Sequence, residues 1–244
     1  MHKEKLDKIV FLNEFLDKHL NLQNLKKSFS WKVIYKIVFT NLLRYGKNFY
    51  VWNKIDTNKY ENYIKAITDF VYENIYLKEK LEKSDILKLH YFIMKDLSLE
   101  KYNVLWDFRT WAMTIHWYDT RWKLVAIYPV KVKYIKIRFE EELNKLNKNL
   151  WKKKKSNLLA IIEFIFNMIN EIHPFENWNW KVFFVLFDIL LFKYDFFPVF
   201  ILKEEHRKKL FNNVISHYVE NKKKEVYLNY FLDLIIEIYS NYKM

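Results

Sequence analysis

Apolar residues recur along this chain mostly at helical spacing. Leu6, Ile9, Val10, Phe15 and Leu16 form one stripe and predict a first helix. Val33 to Arg44 predicts a second. Tyr60 to Tyr76 predicts a third, with Tyr63, Ala66, Ile67, Phe70 and Val71 on its apolar side. Ser84 has the character of an N-cap and is followed by Asp85 and by Ile86, Leu87, Leu89, Phe92 and Ile93, which predicts a fourth. From about Asn103 to Val132 the helical period disappears. Met113 to His116 and Leu124 to Tyr128 alternate as two short strands of a hairpin, linked by Trp117 to Lys123. Helical spacing returns at Tyr134 to Leu150, Leu158 to Ile172, Val182 to Tyr194, His206 to Tyr218 and Tyr227 to Tyr239. The pattern is that of a mostly α protein with one β-hairpin, without internal repeats or a Pro/Gly/Ser linker.

The most apolar window, Val182 to Leu202, contains Asp188, Lys193, Asp195 and Pro198. A span of about 20 residues in lipid rarely carries three charges. It reads as a buried helix, a turn and the start of another element, with no membrane role. The first residues are amphipathic and lack the apolar run of a signal peptide.

At 244 residues, with 51% hydrophobic and 20% aromatic side chains, the chain can build one large core, as one domain or one domain with an extension. There is no cysteine, hence no disulfide framework and no thiolate metal site. That suits a reducing compartment, and a cytoplasmic location is expected. The net charge is +13, with basic runs at Lys152–Lys155 and Lys222–Lys224. Such charge can serve nucleic acid, an acidic membrane surface or an acidic partner. Zinc-finger and RNA-binding strings are lacking, and short lysine runs ordinarily mark solvated loops, so nucleic acid is not the preferred partner.

Glycine and tryptophan change this picture. The chain has one glycine, Gly46, and nine tryptophans. Average usage of about 7% predicts roughly 17 glycines in a chain of this size. Trp106, Trp111, Trp117 and Trp122 crowd one turn-like stretch, where positive φ calls for glycine. Two explanations are open. A UGA codon read here as tryptophan can be glycine in the source, or an AT-rich genome can have become poor in glycine codons.

Residues 173–181 read HPFENWNWK. This string resembles the active-site motif of the Fic family, H-x-F-x-[D/E]-G-N-G-R, with Trp178 and Trp180 at the two glycine positions. Supporting strings surround it. Trp106-Asp107-Phe108-Arg109 resembles G-x-[FY]-R before the family's hairpin, Ile127-Tyr128-Pro129 resembles the step leaving it, and Glu61-Asn62-Tyr63 resembles a segment preceding the core. The resemblance covers roughly Tyr60 to Tyr239. It implies a Fic-like helical core with one β-hairpin flap over residues 60–244, and an N-terminal helical extension over 1–59.

The resemblance also implies a chemistry: transfer of AMP from ATP to a Ser, Thr or Tyr hydroxyl of a protein. His173 would be the base, since a neutral imidazole suits that proton transfer. Phe175 would anchor the loop. Trp178, Asn179, Trp180 and Lys181 would line the phosphates at a helix start, where backbone N–H groups and the helix dipole favour anions. Two indoles there obstruct the amides, so little or no activity is expected of the chain as written. Lys181 replaces the usual arginine, keeping charge but losing the bidentate fork. Phe184 stands where a further arginine is common. The acidic ligand position for Mg2+ falls on Asn177, whose amide oxygen adds no charge. The protein substrate would dock on the hairpin, along Thr114–His116 and Val125–Tyr128. Ser216–Asn221 fits the string of an inhibitory helix, and at Thr40–Arg44 an arginine stands where the inhibitory glutamate would be. A Fic-fold binding module without catalysis is the alternative reading, and a basic helical nucleic-acid binder the third.

Overall fold

A computed structural model of the chain describes residues 2–20, 31–40, 42, 57–94, 107–118, 121–199 and 224–240. The helices are α1 (His2–Leu20), α2 (31–40), α3 (Thr57–Val71), α4 (Lys83–Met94), α5 (Ile135–Asn149), α6 (Lys154–Phe166), α7 (Asn179–Lys193) and α8 (Lys224–Ser240). Strands β1 (Ile115–Tyr118) and β2 (Leu124–Ile127) form the two-stranded antiparallel sheet. The mostly α fold with one hairpin is therefore as the spacing predicts. The helix expected at His206–Tyr218, the string Ser216–Asn221, and Asn41, Leu43 and Arg44 lie outside the described residues.

The centre is α7. Residues Val182 to Phe192 are all buried, Asp188 among them, as expected of a helix that is apolar on every side. Helices α6 and α4 pack against it, and α5 covers α6. Helix α1 packs on α8 and α6, so Leu6, Ile9 and Leu16 join the same core as Ile161, Phe187 and Leu232. Phe15, placed by its spacing on the apolar stripe, is instead 43% exposed. Asn13 is buried among these apolar groups and is satisfied by the main chain. Its Nδ2 donates to the Asp195 carbonyl at 2.7 Å, and its Oδ1 accepts from the Phe197 amide at 3.0 Å. Among the described residues no helix is long and apolar enough to cross a membrane.

Two helices end in wide π turns, Tyr72–Tyr76 after α3 and Asn167–Ile172 after α6. The first is tied to α7 by Lys193, whose Nζ donates to the carbonyls of Ile75 and Lys78. The start of α4 differs from the expectation. Ser84 lies inside the helix, and the side chain that reaches back is Asp85. Its Oδ2 accepts from the Glu82 amide at 2.8 Å, and the carboxylate also takes Lys78 Nζ at 2.9 Å. A carboxylate three residues into a helix that bonds the cap residue's N–H satisfies an otherwise orphaned donor.

The hairpin pairs Ile115 with Ile127, His116 with Ala126, Trp117 with Val125 and Tyr118 with Leu124. Trp117, expected in the linking loop, is thus in a strand. Replacing Asp85 by alanine removes the reach-back bond and leaves Lys78 without its buried partner. The expected cost is about 1–2 kcal/mol, read as a lower urea midpoint at pH 7, and an unchanged midpoint would contradict this account of the α4 start.

Candidate functional site

The site is built where α6 stops. Its last turn widens over Asn167–Ile172, and the His173 amide bonds the Met168 carbonyl at 2.9 Å instead of continuing an α-helix. Such single wide turns interrupt helices frequently at functional positions. This one is braced from α5, because Asn167 Nδ2 donates to Glu142 Oε2 at 2.6 Å inside the core. His173 then takes a left-handed conformation, φ 47°, and Pro174 follows, so the helix cannot resume.

The His173 ring is fixed by its own helix. Nδ1 lies 2.8 Å from the Ile169 carbonyl, which can only accept, so Nδ1 carries the proton and Nε2 has the lone pair. Burial lowers the pKa to about 4. That value includes the opposing pull of the Ile169 carbonyl and a smaller lowering by the Arg109 charge. At neutral pH the imidazole is an uncharged base.

Phe175 is fully buried and pins the loop. Its ring stacks on His90 at 4.0 Å and 8° and on Phe183 at 6.0 Å. Asn179 holds the same residue by its main chain: its Oδ1 accepts from the Phe175 amide at 2.9 Å and its Nδ2 donates to the Phe175 carbonyl at 2.7 Å. The side chain expected to contact phosphate is therefore committed to shaping the loop. A phosphate contact from this residue would come from its main-chain amide.

Helix α7 begins at Asn179, three residues before Val182, where the helical spacing resumes. Its N-cap, Trp178, has φ 67°. A side chain with a Cβ pays about 1–2 kcal/mol in this region. The Lys181 Nζ lies 3.0 Å from the centroid of the Trp178 ring, and burial lowers its pKa to about 7. Trp180 packs on Phe184 at 5.3 Å between ring centres. The six residues His173, Asn177, Trp178, Asn179, Trp180 and Lys181 thus come together on one loop and one helix start, with the cation covered by an indole.

The donor set does not suit Mg2+, which prefers carboxylate oxygens. Asn177 offers an amide, and the neighbouring Glu176 carboxylate accepts the Trp111 indole N–H at 2.8 Å. Among the described residues no group of three or more His, Cys, Asp or Glu is placed to hold a metal ion.

Two residues do more than their sequence context indicates. Arg109 bonds the carbonyls of His173 (Nε, 2.8 Å), Trp111 (Nη1, 2.9 Å) and Val130 (Nη2, 2.6 Å), and its amide donates to Pro174 at 2.8 Å. The string WDFR is the only signal that could have found it. His90 donates Nε2–H to the Asn177 carbonyl at 3.2 Å while its ring supports Phe175. Nothing near His90 in sequence points to that role. The hairpin is joined to the site as well, since the Val130 amide donates to the Glu171 carbonyl at 2.8 Å.

No family model matches the sequence, and no curated protein is significantly similar to it. Three solved structures are similar along nearly the whole chain. A Fic family protein from Desulfovibrio desulfuricans superposes with a TM-score of 0.64 at 14% identity, covering 97% of this chain and 73% of its own. Fic-1 from C. elegans gives 0.60 at 14%, covering 98% and 71%. A Fic domain containing signaling protein from Bacteroides thetaiotaomicron gives 0.57 at 12%, covering 97% and 95%. The chain has the fold of the Fic-domain proteins, and its HPFENWNWK loop lies at the helix junction just described.

Two outcomes are expected. In His90→Ala, amide hydrogen exchange at residues 175–178 accelerates at least tenfold while α7 stays protected; unchanged exchange would remove His90 from the loop's support. The folded pKa values of Lys181 (about 7) and Lys193 (about 8) lie below the ordinary 10.5. The unfolded chain then binds more protons across that window, so stability rises with pH from about 7 to 10. Lys181→Met should flatten the rise in thermal midpoint, and an identical slope would contradict a buried ammonium.

Proposed function

We propose that this protein transfers AMP from ATP to a Ser, Thr or Tyr hydroxyl of a protein target, in the form that carries glycine at positions 178 and 180. Fold alone does not carry this reading, because one fold hosts many chemistries. The observation that carries it is His173: a buried, uncharged imidazole whose Nδ1–H is held by Ile169 and whose Nε2 is left as base. In the step, the hydroxyl oxygen bonds the α-phosphorus, its proton passes to Nε2, and pyrophosphate leaves. The N-terminal amides of α7 and Lys181 would hold the phosphates. The exposed edge of the hairpin, around His116 and Val125, would align the target segment by main-chain pairing.

The alternative is a Fic-fold module that binds without catalysis. One observation favours it for the chain as written: the indole of Trp178 covers the only cation of the motif. The absence of a carboxylate at Asn177 weakens Mg2+ binding in either form.

Transfer of label from α-labelled ATP to lysate protein, with Mg2+, tests the proposal. The Trp178→Gly/Trp180→Gly chain should label acceptors, the chain as written should be silent, and His173→Ala in the glycine chain should lose about 10²–10⁴-fold. Silence from the folded glycine chain sinks AMP transfer in favour of the binding module or a different donor, as in phosphorylation or phosphocholine transfer. The active form should keep its rate as pH falls from 7 and lose it only toward pH 4, because the base acts unprotonated and its pKa is about 4. An acid limb centred near 6.5 would place the base in a solvated setting that this structure does not have.

A further inference from the structure

We infer that the native protein carries glycine, not tryptophan, at positions 122, 151 and 178, each encoded by a UGA codon that its source reads as glycine. The inference goes beyond the proposed activity and stands whether or not the protein transfers AMP.

The backbone is the first observation. Five described residues have positive φ, and three of them are tryptophans: Trp122 at 60°, Trp151 at 74° and Trp178 at 67°. Trp52 and Trp106 lie outside the described residues, which leaves seven of the nine tryptophans to compare. A few per cent of non-glycine residues have positive φ, so far fewer than one of seven is expected by chance. The other two, His173 and Asp195, are of types that tolerate this region better than an indole does.

The places are those where chains use glycine. Trp122 is in the hairpin connection before β2, Trp151 follows the last residues of α5, and Trp178 precedes α7. A left-handed residue just past a helix end is usually glycine. At two of the three positions the side chain agrees with the backbone. Trp122 is 78% exposed and Trp151 61% exposed, although an indole ordinarily contributes its large apolar surface to a core. The described residues contain no glycine at all; the chain's single one, Gly46, lies outside them.

A genome merely poor in glycine codons would scatter tryptophan without regard to φ. Recoding concentrates it at left-handed turns, because a glycine tRNA altered at one anticodon base reads UGA in place of GGA. Trp31 and Trp180 in helices, Trp117 in β1 and Trp111 before the hairpin lack positive φ, so their backbone does not call for glycine.

The test is to sequence the gene and to obtain tandem mass spectra of peptides from the protein isolated from its source. UGA at codons 122, 151 and 178, with glycine in the matching peptides, is the expected result. A UGG codon at any of the three, or a peptide reading tryptophan there, overturns the inference. Neither readout depends on activity or on refolding.

Discussion

The Arg109 guanidinium takes carbonyls from the end of the π turn, from His173, from Trp111 and from the chain leaving the hairpin. These segments are far apart in sequence, and each carbonyl is at a break in regular structure, where a helix or strand no longer satisfies it. A planar cation with five donors can meet several such acceptors at once. Because hydrogen bonds to a charged donor are stronger than neutral ones, and a buried carbonyl left unpaired is costly, this one side chain fixes the approach of the hairpin to the helix junction. The position of His173 and the path into β1 both depend on it.

Below that clamp the loop is held from inside. Phe175 is fully buried, Asn179 closes a two-way bond on its main chain, and His90 supports both its ring and the Asn177 carbonyl. His173 is therefore held by its own helix, and the loop by groups from α4 and α7. The polar residues of the motif are mostly spent on shape.

Much of this was legible in the sequence. The stripe of Tyr63, Ile67, Phe70 and Val71 on α3 and the all-round apolarity of α7 each follow from periods that burial imposes. The motif residues are close in sequence, so finding them together was a local inference. What escaped were contacts that sequence spacing does not encode. His90 meets Asn177 across 87 positions, and Arg109 meets His173 across 64. Spacing predicts plain helix over Leu158–Ile172, because one extra residue in the last turn barely alters the sequence pattern of a helix. Serine is the commoner N-cap, so the sequence points to Ser84, while the carboxylate one residue later has the geometry that reaches the Glu82 amide.

The wide turn at Asn167–Ile172 also places a particular demand on the gene. A π turn holds one more residue than the α turn it replaces, and each residue of an α-helix advances the side-chain direction by about 100°. Substitutions along Met168, Ile169 and Ile172 need only preserve bulk and apolarity. Loss of a single residue would let the helix run on as α, turning His173 toward another quadrant and detaching its ring from the Ile169 carbonyl. The His173 end of α6 is thus bound by residue number before residue type: it can absorb exchange of one apolar side chain for another, but not the loss of one.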